Sequence, residues 1–310
     1  MFEPISYKLW FVDKKAFANA IGESFRETGF AVISDHKVGQ DVIDDVSDAT
    51  KSFFALPSNT KHKYFDPQGG GQRGYTPFGT ESAKGETAID LKEFWHTGRA
   101  LAKDSPHRDI MPDTPTVSEI AGFDGASRGL FEAMDQFGRD ILSGIAIYLG
   151  LSEDWFDDKV DEGNSILRLI HYPAQNKPFP DGSVRAAAHE DINVITLLLG
   201  AEEAGLQARH RSGEWLDINP PAGSLVINCG DMLQRYTAGY LPSTTHRVLN
   251  PKPERAHLPR YSMPYFLHFN PDFLIEALPS CLEKGGNAEK PITAQDYLME
   301  RLVEIGLVKA

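Results

Sequence analysis

The sequence has 310 residues, of which 41% are hydrophobic and 24% are charged, and its formal net charge is −13. These proportions are typical of a folded chain with a sizeable core, and they exclude fibrous and low-complexity proteins. The negative charge argues against a nucleic-acid-binding protein, which needs a basic surface to meet phosphate.

The N-terminus, MFEPISYKLWFVDKK, lacks the basic start and apolar core of a signal peptide. No apolar run approaches the roughly 20 residues that cross a bilayer. The two cysteines, Cys229 and Cys281, are too few for a disulfide framework and favour a reducing compartment. We therefore expect a cytoplasmic protein that binds neither nucleic acid nor membrane and has no obligate protein partner.

Residues 1–115 predict a helical front. Apolar side chains recur at helical spacing over residues 17–25, and Gly29 follows as a stop signal. Residues 31–34, with the sequence AVIS, predict a short strand. A second apolar stripe at helical spacing covers residues 42–53.

Residues 66–89 contain GGGQRGYTPFGTESAKG and predict a glycine-rich irregular segment. Such a segment is either a linker or a functional loop. The aromatic residues Tyr75 and Phe78 favour a loop that packs on the rest of the protein. A longer helix is predicted over residues 130–149, where apolar residues again recur at helical spacing.

After residue 164 the apolar period changes from helical to strand-like. The candidate strands are ILRLIHY, INVITLLLG, GLQARH, EWLDI, SLVINCG, HRVLN and YSMPYFLHF. Many short strands at this spacing predict a sandwich or barrel. Thr293, with Asp296 three residues on, then gives a capping-box-like start to a closing helix. The predicted fold is mainly β with a helical front (1–115) that packs on a core (116–310) containing the long helix and the closing helix.

Three ionisable residues interrupt the apolar run AAAHEDINVITLLLG (186–200). In an extended chain, residues two apart face the same side, so His189 and Asp191 point together and Glu190 points away. An imidazole and a carboxylate on one face suit a first-row divalent metal ion. A bound metal also removes the cost of burying them without partners.

The triplet alone is weak evidence, because His107-Arg108-Asp109 is a second His-x-Asp in the same chain. That second triplet lies in SPHRDIMPDTP, among prolines, and predicts a solvated loop. A surface pair at a strand end would explain either triplet in isolation. The residues further along the chain separate the two cases.

His246 lies 57 residues after His189 and opens another strand-like segment, HRVLN, so it is a candidate second histidine ligand. Arg260 and Ser262 follow in RYS and share one face of an extended chain. A guanidinium and a hydroxyl on one face suit a carboxylate, although a surface ion pair would explain Arg260 alone. The order His-x-Asp, His, Arg-x-Ser on successive strands is a specific constellation.

Over nearly its whole length the chain resembles the isopenicillin N synthase-like group of iron(II)- and 2-oxoglutarate-dependent dioxygenases. The similar segments are FRETGFAVISDH, FFALPSNTKHKY and RGYTPFGTE in the front, and LRLIHYP, HEDINVITLLL, INCGDMLQRYTAGYLPSTTHRV and RYSMPYF in the core. The resemblance implies a distorted double-stranded β-helix (jelly roll) flanked by helices.

The resemblance also implies roles for individual residues. Iron would be held by His189, Asp191 and His246. Arg260 and Ser262 would bind the distal carboxylate of 2-oxoglutarate. Tyr172 would lie near the other end of the cosubstrate. The chain departs from the family where relatives often read Asn-Tyr-Tyr-Pro, since it has Ile-His-Tyr-Pro over residues 170–173.

The implied activity is oxidation of a small molecule by hydroxylation, desaturation or cyclisation. Fe(II) would be the bound cofactor, and 2-oxoglutarate and O2 would be consumed with release of succinate and CO2. Three alternatives stay open at this point. They are an iron-dependent oxidase that uses O2 without 2-oxoglutarate, a non-enzymatic jelly roll that only binds a ligand, and a zinc hydrolase on the same ligands.

The substrate is expected over the iron, between the front and the core. Each candidate substrate residue is equally compatible with a packing or surface role. These candidates are Arg73, Tyr75, Glu93, Phe94, Leu199, Phe266 and His268.

Overall fold

The structure is a computed structural model that describes residues 2–69, 71–80, 90–175, 183–199 and 205–304. The helices are α1 (Leu9–Val12), α2 (Lys14–Thr28), α3 (Gln40–Phe54), α4 (Ser58–Lys61), α5 (Phe123–Leu149), α6 (Asp157–Val160), α7 (Asp231–Tyr236), α8 (Pro279–Leu282) and α9 (Ala294–Glu304). The strands are β1 (Pro4–Ser6), β2 (Phe30–Ser34), β3 (Gly74–Thr76), β4 (Glu93–Gly98), β5 (Ile166–Tyr172), β6 (Ala186–His189), β7 (Ile195–Leu199), β8 (Leu206–Arg209), β9 (Trp215–Asp217), β10 (Leu225–Cys229), β11 (His246–Val248), β12 (Arg260–Ser262), β13 (Pro264–Leu267), β14 (Leu274–Ile275) and β15 (Ile292–Thr293).

Two sheets form the core. The large sheet has the strand order β1-β2-β10-β7-β13-β5-β4-β3, with β12 also paired to β5, and the small sheet has the order β6-β11-β8-β9. Apart from the parallel pair β1 and β2, the neighbouring strands of these sheets are antiparallel. The arrangement is a distorted double-stranded β-helix with flanking helices, as the sequence analysis predicted.

One face of the large sheet packs on the helices. The 27-residue helix α5 buries a stripe that includes Leu130, Phe137 and Ile141 at helical spacing, and α2 and α3 pack against it. Gly138 lies where α5 meets the sheet, and a Cβ there would come within 2.6 Å of the Leu267 side chain. The small residue therefore allows the helix to approach β13 closely.

The other face of the large sheet meets the small sheet. Because side chains alternate along a strand, Leu167 and Leu169 of β5 join the helix-side core, whereas Ile170 and Tyr172 belong to a separate buried cluster on the inner face. A further apolar cluster joins strands of both sheets and includes Phe30 of β2 and Val248 of β11. Phe30 packs edge-on against the His246 ring, so this cluster borders the polar side chains of the interior.

The predicted helix and strand boundaries agree with the structure at several positions. Helix α2 ends at Gly29, which has φ = 73° and donates its N–H to Phe25 O. Helix α9 begins after Thr293, whose hydroxyl accepts the Asp296 N–H at 3.1 Å. The predicted run YSMPYFLHF is divided, because β12 ends at Ser262 and β13 begins two residues later.

The division at residue 115 stays a prediction, because the front supplies β1 to β4 to the same large sheet as the core strands. Of the predicted glycine-rich segment 66–89, residues 70 and 81–89 lie outside the described residues. Among the helices that the structure describes, none has both the length and the apolar character that crossing a bilayer requires.

Candidate metal centre

Two histidines and one aspartate meet at one end of the small sheet. His189 is the last residue of β6 and lies in register with His246, the first residue of β11. Their ring centroids are 4.4 Å apart, and the Nε2 atom of each lies 3.8 Å from Asp191 Oδ1. The three candidate ligand atoms all lie within 4.8 Å of one another. Residues that are far apart in the sequence are thus brought to one point by strand pairing.

Backbone carbonyls orient both imidazoles. His189 Nδ1 lies 2.7 Å from Ala187 O, and His246 Nδ1 lies 3.1 Å from Thr244 O. A carbonyl only accepts, so each Nδ1 carries a proton, and Nε2 is the nitrogen of each ring that would bind a metal. Burial, together with the nearby His246, lowers the pKa of His189 to about 4, so this imidazole is neutral near pH 7.

The Asp191 carboxylate is held through one of its two oxygens. Thr196 Oγ1 donates to Oδ2 at 2.5 Å and Asn228 Nδ2 donates to the same atom at 2.8 Å. The other oxygen, Oδ1, faces the histidines. Burial acts to raise the pKa of Asp191, but the two histidines and these two hydrogen bonds hold that pKa below its ordinary value.

The donor set fits a ferrous ion. Two imidazoles and one carboxylate form the facial triad typical of non-haem iron(II) sites, and such a triad leaves positions open for other ligands. The partners of both Nδ1 atoms and of Oδ2 are the outer contacts that fix metal ligands in orientation. The three donors therefore suit iron(II), and no rearrangement of strands is needed to bring them together.

Removing the Asn228 amide should weaken metal binding without removing a ligand. We expect Asn228→Ala to lower Mn(II) or Fe(II) affinity by roughly 10- to 100-fold, since outer contacts of this kind orient the ligating oxygen. Anaerobic titration calorimetry measures the change. Asn270→Ala removes an amide that bonds Asp158 and Asp161 elsewhere, and it is the control. Equal affinity in both variants would show that Asn228 does not orient Asp191.

The candidate cosubstrate residues lie together on the inner face of the large sheet. Arg260 pairs in register with Tyr172, and Ser262 pairs with Ile170. Arg260, Ser262 and Tyr172 are all buried. The guanidinium carbon of Arg260 lies 5.1 Å from the centre of the Tyr172 ring.

A second buried guanidinium lies against the same ring, and the sequence analysis did not predict it. The guanidinium carbon of Arg185 is 5.9 Å from the Tyr172 ring centre, and the Arg185 side chain is fully buried. Two guanidinium groups therefore lie against one tyrosine ring in this part of the interior. A guanidinium group binds carboxylates well, which suits the proposed role of this region.

A cavity of about 530 Å³ opens beside the metal ligands, and His189 and Asp191 form part of its wall. Two of the predicted substrate residues, Phe266 and His268, also line it. Helix α9 closes one side through residues that include Leu298 and Arg301. The cavity has the size and the mixed polar and apolar lining of a small-molecule site.

Two other predicted substrate residues, Tyr75 and Glu93, do not reach this cavity. Glu93 accepts hydrogen bonds from Tyr75 Oη at 2.5 Å and Lys61 Nζ at 2.7 Å, and it lies 2.8 Å from His171 Nδ1. Burial acts to raise the pKa of Glu93, but these three partners hold that pKa below its ordinary value. Phe94 clusters with Ile170 and Tyr172 on the inner face of the large sheet. Its strand neighbour Glu93 must face the opposite side, so the Glu93 cluster lies on the helix side of the sheet.

The remaining predicted substrate residues also lie off the cavity wall. The Arg73 guanidinium donates hydrogen bonds to Pro112 O, Gln72 O and Asn164 Oδ1. Leu199 packs against the helix-side core. Phe94 is on the inner face, and the Arg168 guanidinium carbon lies 4.2 Å from the centre of its ring.

The buried ion pair of Lys61 and Glu93 predicts a measurable stability effect. Lys61→Met should lower the free energy of unfolding by about 3 kcal/mol, because the buried carboxylate loses its cation. Lys63→Met is the control, since Lys63 is 64% exposed and its pair with Glu119 should contribute less than about 1 kcal/mol. Urea unfolding measures both values. Equal losses would contradict a buried charge cluster at Glu93.

The polar residues of the cavity wall that the sequence analysis did not predict include Arg168 and His96. Arg168 stands four residues before Tyr172 on β5, and alternation places both on one face. That spacing was a usable signal. His96 follows Phe94 by two residues on β4, but the strand itself was not predicted.

Known protein families match both halves of the chain. Residues 6–116 match the family described as non-haem dioxygenase in morphine synthesis N-terminal. Residues 163–269 match the 2OG-Fe(II) oxygenase superfamily and include all three candidate metal ligands.

Individual relatives agree with these matches. The 2-oxoglutarate-Fe(II) type oxidoreductase hxnY of Emericella nidulans is 32% identical, with 92% of this chain and 83% of that protein covered. A Caulobacter crescentus protein of the 2OG-Fe(II) oxygenase family is 49% identical, with a TM-score of 0.90 and coverage of 98% and 99%. A full-length Neurospora crassa protein, solved in complex with α-KG and thymine, is 30% identical, with a TM-score of 0.85 and coverage of 97% and 96%.

Proposed function

Because this chain belongs to the iron(II)- and 2-oxoglutarate-dependent oxygenases, we propose that His189, Asp191 and His246 are its iron ligands. The observation that carries this proposal is that three candidate ligand atoms converge. His189 Nε2 and His246 Nε2 each lie 3.8 Å from Asp191 Oδ1. The enzyme is an oxidoreductase that uses Fe(II), 2-oxoglutarate and O2. Membership of this oxygenase family also argues against the non-enzymatic jelly roll and the zinc hydrolase as alternatives.

The residues around the iron position have separate tasks. Asn228 and Thr196 fix the carboxylate of Asp191, so one oxygen faces the metal position. Arg260 and Ser262 bind the distal carboxylate of 2-oxoglutarate, and Tyr172 packs on the Arg260 guanidinium. The bound metal and cosubstrate supply the oxidising chemistry, in which 2-oxoglutarate is converted to succinate and CO2 while the substrate is oxidised.

The protein also excludes water from the reacting groups. Asp191, His246, Arg260 and Ser262 are buried, and the cavity that His189 and Asp191 line is the route to the metal position. A dry, shaped cavity strengthens the electrostatic contacts and limits oxidation of the protein itself.

The substrate is a small molecule that enters this cavity and is hydroxylated, desaturated or cyclised. Thymine is the first compound to test, because the Neurospora protein was solved with thymine and α-KG and is similar over nearly the whole chain.

A screen that reads succinate tests the proposed function. Protein with Fe(II), ascorbate, 2-oxoglutarate and O2 should release succinate above its background rate when a substrate is added, with one 2-oxoglutarate consumed for each succinate. Substrate oxidation that proceeds equally without 2-oxoglutarate would instead support the oxidase alternative. Absence of Fe(II) binding under anaerobic conditions would refute the metal assignment.

We also propose that the enzyme acts in the cytoplasm without an obligate partner. Both cysteines, Cys229 and Cys281, are buried free thiols, which is consistent with a reducing compartment. Cell fractionation with an epitope tag tests the location.

A further inference from the structure

One proposed metal ligand stands on a strand at the edge of its sheet. β6, which ends at His189, is the first strand of the small sheet, and among the strands that the structure describes it pairs there with β11 alone. The register of this pair is irregular, because it shifts between His246 and Val248. An edge strand with an interrupted ladder has fewer backbone hydrogen bonds to hold it than an inner strand has. Contacts from outside the small sheet therefore bear on where His189 lies.

The front of the chain supplies such contacts. Asp90 Oδ1 accepts the Ala187 N–H at 3.1 Å, and Leu91 donates its backbone N–H to Val184 O at 3.0 Å. The carbonyl oxygen of Ala187 in turn lies 2.7 Å from His189 Nδ1, which donates to it. One residue of β6 is thus held by Asp90 through its N–H and orients the imidazole through its C=O. A displacement of Ala187 would move the acceptor that sets the direction of the ring.

The Asp90 carboxylate is itself buried and held at both oxygens. While Oδ1 accepts from Ala187, Oδ2 accepts from the Lys92 ammonium at 2.9 Å, and both side chains of this ion pair are buried. Hydrogen bonds in which one partner is charged are the stronger ones in proteins. Asp90 and Lys92 also line the cavity together with His189. The carboxylate is therefore a fixed point beside the metal position.

We propose that Asp90 is a positioning residue of the metal centre, which holds His189 at the metal through Ala187. The inference rests on the proposed iron ligands and adds a residue from the other matched segment of the chain. Asp90 lies within residues 6–116, whereas the three ligands lie within residues 163–269. A role for Asp90 as the counter-ion of Lys92 alone makes a different prediction, since removal of both charges would then restore metal binding.

Metal binding measured without 2-oxoglutarate or substrate tests the proposal. Asp90→Ala removes the acceptor of the Ala187 N–H and should weaken Mn(II) binding by roughly 10-fold in titration calorimetry, because an outer contact of a ligand is lost. The double variant Asp90→Ala/Lys92→Met removes both charges of the buried pair, so neither charge is left behind, and it should show the same loss. The absorption spectrum of bound Co(II) should change in both variants, since it reports the geometry of the ligands.

Asp135→Ala is the matched control, because it removes a different buried carboxylate, one on α5 that lies 2.5 Å from the Arg99 guanidinium. It should lower the free energy of unfolding, as Asp90→Ala does, but leave the Mn(II) affinity and the Co(II) spectrum at their wild-type values. If Asp90→Ala does not fold, the double variant decides. Wild-type Mn(II) affinity in the double variant, or an equal loss in Asp135→Ala, would overturn the inference. Failure of the wild-type protein to bind Mn(II) would instead refute the proposed iron ligands, and the inference with them.

Discussion

Asp191→Ala should reduce succinate release by at least about 100-fold, which is the largest effect that we expect from a single substitution. The carboxylate is the only anionic donor of the three that converge. Removing even an outer contact of a ligand typically costs 10- to 100-fold in metal affinity or activity, so removing the ligand itself should cost more. The measurement is succinate release at saturating Fe(II) and 2-oxoglutarate, with metal content determined in parallel.

Asp109→Ala is the matched control for this prediction, because Asp109 belongs to the other His-x-Asp triplet. It is exposed, and its partner His107 instead lies 3.7 Å from carboxylate oxygens of Glu162 and Asp272. Asp109→Ala should keep full activity. Normal succinate release by Asp191→Ala, or an equal loss in both variants, would remove the basis for the iron assignment.

Arg260→Gln should raise the KM for 2-oxoglutarate by roughly 100-fold, with a smaller effect on kcat at saturation. The buried guanidinium is the proposed partner of the distal carboxylate, and glutamine supplies neither its charge nor its paired donors. Arg260→Lys restores the charge alone and should recover part of the loss. Initial rates of succinate release over a range of 2-oxoglutarate concentrations give both constants.

Arg247→Gln controls for loss of an arginine that packs on an aromatic ring. Its guanidinium carbon lies 3.9 Å from the Trp215 ring centre, and alternation along β11 places it on the opposite face from His246. The KM for 2-oxoglutarate should stay unchanged in this variant. An unchanged KM in Arg260→Gln would place the cosubstrate carboxylate elsewhere, and Arg185 would be the next residue to replace.

Local alternation placed His189 and Asp191 on one face, whereas the full set of candidate metal ligands came from the order of motifs along the chain and from the family resemblance. His189 and Asp191 are two residues apart at a strand end, and His246 opens the strand that pairs with β6. The same rule placed Arg260 and Ser262 on one face of β12. Side-chain direction along short extended segments thus accounts for the pairs within one strand, while the role of His246 needed the family resemblance.

The substrate wall was harder to predict because it depends on which segments become neighbours. All six residues of β4 are buried, so the segment lacks the polar and apolar alternation that marks a half-buried strand. Tyr75 and Glu93 were predicted near the substrate, yet Glu93 precedes Phe94 directly and therefore faces the opposite side. Arg185 could not be assigned, because it precedes β6 and reaches Tyr172 of β5 through tertiary packing alone.

A crystal structure grown anaerobically with Fe(II) and 2-oxoglutarate tests the central claim most directly. The ion should lie about 2 Å from His189 Nε2, His246 Nε2 and Asp191 Oδ1, with the distal carboxylate of 2-oxoglutarate against Arg260. An ion bound elsewhere, or His246 turned away from it, would contradict the account.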